Sequence, residues 1–327
     1  MEFFLPFQIP PFPVNISYQD KILFIGSCFS ENIGNKMASL KFDVIQDPNG
    51  ILYDPVSIGD ALFSYIENKP PDEKYLFELN GLWHSWKHHS HFSGINKTEV
   101  LQKITDSRSC AHDFLKQAKF LFITFGTAFC YLLKNNSENV ANCHKAPANH
   151  FTKILLPIEQ IKADLLSAIT ALKIFNPEVK IIITVSPVKH IRDGVIENNR
   201  SKSRLIEAAH LIAEEKPGVF YFPAYELIND ILRDYRFYKK DLVHPNEQAI
   251  DFVFEKFSAS FFDNQTTQTM KEIEKIFLAI NHKPFVKQGE AHFKFIESQI
   301  QNISRLEKKY PFIHLTTEKK YFEEQLK

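Results

Sequence analysis

The sequence predicts an α/β protein built on a doubly wound, mostly parallel sheet, with a β-hairpin insertion and a helical C-terminal extension. Three observations point there. Apolar runs at residues 21–26, 119–126, 179–185 and 218–222 alternate with segments of helical period, the pattern of successive β–α–β crossovers. Those runs are apolar at nearly every position, as strands buried on both faces are. After Asp263 no strand pattern remains.

Residues 1–20 are proline-rich and read as an extended arm. The first strand, 21–26, ends at Gly26, and Ser27 and Cys28 lead into a helix over 30–40. A second strand at 42–46 runs into the turn Asp47-Pro-Asn-Gly50. A helix is expected over 54–66, from Ile58, Leu62 and Ile66 at helical spacing. Asn80-Gly81 between alternating apolar residues predicts a hairpin over 75–86, in an insertion spanning about 70–95. Then come a helix over 98–116, the strand 119–126 and a polar loop through Pro147. The helix 159–175, the strand 179–185, the helix 201–216 and the strand 218–222 complete the alternation. Lys240-Asp-Leu-Val-His-Pro-Asn246 opens a helix to about 262. Helical period returns at 271–280 and 290–306, so the division expected is an α/β domain at 1–262 and a helical extension at 263–327.

Of 327 residues, 44% are hydrophobic and 24% charged, ordinary for a soluble globular chain. Lysine plus arginine and aspartate plus glutamate number 39 each. That balance does not favour nucleic acid, which needs a basic surplus. No run of about 18 apolar residues suggests a membrane span. Met1-Glu-Phe-Phe-Leu-Pro has an acid where a signal peptide carries bases. Cys28, Cys110, Cys130 and Cys143 sit at unrelated spacings, neither a disulfide framework nor a zinc pattern. Reduced thiols and a cytoplasmic location are expected, with no cofactor.

Chemistry concentrates in two loops. Ser27 and Cys28 follow a strand-end glycine and precede a helix, where N-terminal N–H groups favour an anion. As structure alone, Cys28 is a small core residue at a tight turn. Asp241-Leu-Val-His244 places an acid three residues before a histidine, a spacing that can orient an imidazole and fix its tautomer. Pro245 biases His244 to extended backbone. The plain alternative is a solvated loop. Taken together, the two loops fall at the carboxyl edge of one sheet, where open α/β folds bind ligands.

These motifs, with Gly50-Ile-Leu-Tyr-Asp-Pro55, Phe125-Gly-Thr-Ala128, Asn142-Cys-His-Lys145 and Ser186-Pro-Val188, resemble the GSCFA family over roughly residues 20–260. That family looks like a branch of the SGNH, or GDSL-like, hydrolases. The resemblance implies a three-layer α/β/α, flavodoxin-like fold and ester deacylation. It puts Cys28 on the nucleophile, or Ser27 if the turn is shifted by one residue, and Asp241 and His244 on the Asp-x-x-His pair. Gly50 is the candidate second oxyanion donor. The third block, Gly126-Thr-Ala, lacks the family's asparagine, so Thr127 or Asn142 would serve instead.

The competing site is histidine-rich. His84, His88, His89 and His91, with Cys143 and His144, are residue types that suit zinc. The bland reading is a surface hairpin or a lid over an anionic pocket. His190, at another strand end, reads as a pocket wall or substrate contact. Trp83 and Trp86 read as hairpin packing or a sugar-stacking surface. Three functions follow: an acyl hydrolase or transferase acting on a small-molecule or carbohydrate-linked ester, a metal-dependent hydrolase, or a non-catalytic ligand binder.

Overall fold

The computed structural model describes residues 5–284 and 289–326; residues 1–4 of the expected arm lie outside them. The chain divides into two compact units. Among the described residues, the first holds 5–9, 21–35 and 44–255, and the second holds 10–20, 36–43, 256–284 and 289–326.

The first unit is built on a five-stranded sheet. Its strands are β1 (Lys21–Gly26), β2 (Asp43–Gln46), β5 (Phe120–Phe125), β9 (Lys180–Val185) and β10 (Val219–Tyr221), in the order β10-β9-β5-β1-β2. The pairs β1·β5, β5·β9 and β9·β10 are parallel. Counting only these strands along the chain, the order is 2-1-3-4-5, the flavodoxin-like arrangement, whose switch point lies between the first and third strands. Here that point lies between β1 and β5.

The helices follow from the patterning. They are α1 (Cys28–Ser39), α2 (Pro55–Glu67), α3 (Lys97–Leu115), α4 (Ile158–Phe175), α5 (Gly194–Glu215), the single turn α6 (Ala224–Glu226) and α7 (Glu247–Phe261). Alternate residues of the sheet (Leu23, Ile25, Leu121, Ile123, Ile181, Ile183) form one core with Ile58 and Leu62 of α2, Leu115 of α3, Leu165 and Ile169 of α4, and Leu205 and Ile212 of α5. The residues between them, such as Phe24 and Phe122, are buried too and stack at 4.7 Å between ring centres. That double burial is why the strands read as unbroken apolar runs.

The hairpin forms as expected from β3 (Leu76–Leu79) and β4 (Leu82–Ser85), with Asn80 and Gly81 both at positive φ. The expected polar loop after residue 126 is instead a second sheet. There β6 (Phe129–Leu133) pairs antiparallel with β7 (Asn139–Val140) and β8 (Phe151–Leu155). Only three residues separate β5 from β6, so two strands read as one apolar run followed by loop.

In the second unit, α8 (Asn264–Ile280), α9 (Glu290–Lys309) and α10 (Thr316–Glu324) bury Ile273, Ile276, Ile303, Leu306 and Phe322. Residues 10–20 of the proline-rich segment belong to this unit. Phe12 and Ile16 donate backbone hydrogen bonds to Ser260 and Phe261, and Phe12 stacks on Phe261. Among the described residues, no helix is long and apolar enough to cross a membrane.

Candidate active site

The strand β1 ends in glycine because a side chain has no room there. Gly26 has φ +135°, and a Cβ on it would lie 2.1 Å from the Thr124 carbonyl oxygen on β5. Its N–H donates to Asp47 Oδ1 (2.8 Å), and its carbonyl accepts from the Leu52 N–H (2.8 Å). Ser27 then turns inward and is 0% exposed. Its Oγ accepts a long bond from the Phe29 N–H (3.4 Å), the geometry of a helix cap. Cys28, the first residue of α1, is half-buried, so of the two candidate nucleophiles only the thiol reaches the surface. Burial, then the nearby Glu31, pushes the Cys28 thiol up, while Lys202 and its own backbone N–H pull the other way. The resting group is a thiol and needs a base.

A histidine held by a carboxylate lies on the same edge. Asp241 Oδ1 accepts the backbone N–H groups of His244 (3.1 Å) and Val243 (3.0 Å), and Oδ2 accepts from His244 Nδ1 at 2.7 Å. The backbone bonds, with the ring bond behind them, hold the Asp241 carboxyl down at about 2. An ionised carboxylate only accepts, so a ring proton sits on Nδ1, and in the neutral imidazole the lone pair is on Nε2. The loop is tied to the end of β9 by the Lys189 N–H on the Val243 carbonyl (3.1 Å). Strands β1 and β9 flank β5, two spacings of about 5 Å apart. Among the described residues, no hydrogen bond joins Cys28 Sγ to His244.

Two expected oxyanion donors are already engaged. The Gly50 N–H donates to the Asp47 carbonyl (2.6 Å), closing its turn. Thr127 donates its N–H to the Tyr53 carbonyl, and its hydroxyl is shared between Ser201 Oγ (3.0 Å) and the Phe129 N–H (3.1 Å). Asn142 accepts from the His144 N–H (2.8 Å), and its NH2 has no partner among the described residues; the residue lines a cleft of about 920 Å³ with Tyr53, Thr127, Phe151 and His190. The Cys28 N–H has no acceptor outside its own residue among the described residues.

The histidines do not converge on a metal: among the described residues, no group of three or more His, Cys, Asp or Glu is arranged to hold one. They are spent on the hairpin instead. His84 bonds Ser93 Oγ (2.6 Å), His88 bonds Ser85 Oγ (2.8 Å), and His144 donates from Nε2 to the Ser85 carbonyl (2.8 Å). His89 Nδ1 accepts the His91 N–H (3.4 Å). Burial pushes His88 down to about 3 and His144 to about 4, so both are neutral near pH 7. The metal reading lacks a site in this arrangement. Burial likewise takes His190 down to about 3, with the charges of Lys202 and His244 adding to it.

Sequence reasoning passed over Tyr53 and Lys202. The Tyr53 phenol is raised by burial and then by the Cys28 charge, and its ring meets His190 edge-on at 5.4 Å. Lys202 lies beneath the site, 1% exposed. Its signal was available: a lysine on the same helical stripe as Leu205, Ala209 and Ile212.

A family model described as the GSCFA family matches residues 21–257. The chain belongs to the GSCFA family. A second model, the GSCFA domain protein C-terminal domain, matches residues 273–327. A search of curated proteins finds no match. Among solved structures, a carbohydrate esterase family 3 from Talaromyces cellulolyticus is 8% identical, with a TM-score of 0.38, and covers 78% of this chain and 99% of its own. An acetyl xylan esterase (Est2A) from the rumen bacterium Butyrivibrio proteoclasticus is 12% identical, with the same TM-score, over 75% and 64%. Superposition at that level does not speak to this chain's chemistry. The GSCFA motif here ends in Ser30, whose buried hydroxyl has no partner among the described residues. Ser30→Ala in this GSCFA chain is therefore expected to leave the melting temperature unchanged or raise it, because it removes an unsatisfied polar group worth roughly 1 kcal/mol; a clear drop would show that the hydroxyl is paired.

Proposed function

We propose that this GSCFA chain hydrolyses or transfers acyl groups held in ester linkage, with Cys28 as nucleophile, His244 as base and Asp241 as the group that fixes the imidazole. The observation that carries the reading is the 2.7 Å Asp241–His244 bond on the sheet edge where Cys28 heads α1. His244 Nε2 takes the Sγ proton as the substrate draws the two together, and the sulfur attacks the acyl carbon. The oxyanion is met by the Cys28 N–H and the Asn142 amide, each such donor contributing roughly 3 kcal/mol in known enzymes. His244 returns the proton to the leaving alkoxide. Water, deprotonated by the same imidazole, then cleaves the thioester.

The cleft favours an acyl group on a small polar molecule or a carbohydrate. Phe129, Tyr131 and Phe151 line it together with Lys153, Arg192 and Asp193, apolar surface joined to convergent polar groups. Four free cysteines suit a reducing, cytoplasmic compartment. The test is mass spectrometry of acid-quenched protein after mixing with aryl acetates and acetylated sugars. We expect one acetyl group on the Cys28 peptide together with turnover. The absence of both acylation and hydrolysis across that panel would overturn the proposal.

A further inference from the structure

Helix α5 meets the sheet edge with three polar side chains on one face: Asn198, Ser201 and Lys202, spaced i, i+3 and i+4. Each ties down a different stretch of backbone. Asn198 Oδ1 accepts the His190 N–H (2.8 Å). Ser201 Oγ accepts the Ala128 N–H (2.7 Å). Lys202 Nζ donates to the carbonyls of Gly126 (2.6 Å) and Ser186 (2.7 Å), the first residues beyond β5 and β9.

Tethering explains the bonds of Lys202 but not its charge. An amide side chain can donate two hydrogen bonds without the cost of burying an ammonium. Among the described residues, no carboxylate pairs with Lys202. Protonated, it also keeps a third N–H that finds no acceptor among them. The Gly126 carbonyl that Lys202 holds lies two residues past the Thr124 carbonyl that takes the Ser27 N–H (3.0 Å), so the ammonium sits at the end of β5 beside the turn that carries Cys28, and the two groups act on each other, lowering the thiol and raising the amine. The remaining groups are Glu31 on α1, Asp47 and Tyr53 after β2, and His190 and His244 across the edge. Glu31 and Asp47 oppose a negative sulfur, and Lys202 is the cation that favours one.

We propose that Lys202 is a positioning residue whose buried ammonium is the counter-charge of the Cys28 thiolate, so that the deprotonated sulfur is held from beneath the sheet edge. This rests on Cys28 being the nucleophile. Burial brings the Lys202 amine down to about 7, so its two forms lie close in free energy at neutral pH. Removing a proton from the sulfur then tips the amine toward its charged form, and the coupling is reciprocal.

The test reads the sulfur directly. Iodoacetamide alkylation of the Cys28 peptide is followed against pH in wild type, Lys202→Met and Lys202→Arg. At pH 7 the methionine variant is expected to react about tenfold more slowly, the difference one 1.4 kcal/mol interaction makes, with its profile moved to higher pH. The arginine variant should recover part of the rate. A folded Lys202→Met protein with an unmoved profile overturns the proposal. Should that variant not fold, Cys28→Asp and Cys28→Ala are compared by NMR titration of the Lys202 side chain. The fixed carboxylate is expected to keep Lys202 protonated to higher pH, and identical titrations overturn the proposal. Neither readout uses an ester. A shifted profile without ester turnover would keep the charge pairing and sink the acyl reading, and ester turnover through Cys28 with an unmoved profile would do the reverse.

Discussion

Replacing Cys28 by alanine is expected to cut ester turnover to a small residual rate, and His244→Ala to lower kcat/KM by at least about 10³-fold, since members of a nucleophile–base unit each carry most of the unit's effect. The loss should appear in kcat, because neither side chain lines the wide cleft that would hold the acyl carrier. Asp241→Asn should cost less than His244→Ala, because it leaves the imidazole in place but loses the carboxylate that keeps the proton on Nδ1. The pH dependence follows from the depressed carboxyl. A carboxyl held at about 2 contributes above its ordinary value and is lost only as pH falls through that low value. Asp241 therefore stays ionised throughout the working range, and the acid limb of the rate profile belongs to another group. Steady-state kinetics on any ester the protein accepts checks all three variants.

The second large effect concerns the fold that presents the thiol. Gly26→Ala places a methyl group 2.1 Å from a backbone oxygen of the central strand, at a φ that side chains rarely adopt. Neither the strand nor the turn can yield without breaking the Ser27 N–H bond to Thr124 O (3.0 Å) or the Gly26–Asp47 bond. A cost of about 4 kcal/mol or more is expected, at the upper end for one substitution and a large share of ordinary stability. Urea unfolding monitors it. The variant should be insoluble or unfold at a much lower midpoint, and an unchanged midpoint would mean that the β1 turn differs from the one described.

Much of this was legible from residue order. Strands buried on both faces announce themselves as apolar runs, which is why β1, β5 and β9 could be read. The Asp-x-x-His spacing is local, so its geometry could be read as well. The sequence puts the start of α1 two residues late, at Ser30, because Ser27 and Cys28 read together as a turn carrying nucleophiles, whereas Ser27 is the cap and Cys28 the first helical residue. What stayed hidden is non-local. The β6–β8 sheet depends on pairing across residues 129–155, and β7 is only two residues long. The grouping of residues 10–20 with the C-terminal helices depends on a bridge between Ile16 and Phe262, about three quarters of the chain apart. The commitments of Gly50 and Thr127 are backbone and hydroxyl bonds that no spacing encodes. Lys202 was hidden differently: a charged residue on an apolar stripe reads as noise unless one asks what it would cost to bury.

The proposed chemistry requires sulfur and imidazole to act as one unit, although among the described residues no hydrogen bond joins them. A double-mutant cycle on ester turnover with Cys28→Ala, His244→Ala and the pair measures that directly. The double variant is expected to be no slower than Cys28→Ala alone, because a base without its nucleophile has nothing to activate. Losses that multiply would mean that the two residues work independently, and the proposed site would not exist.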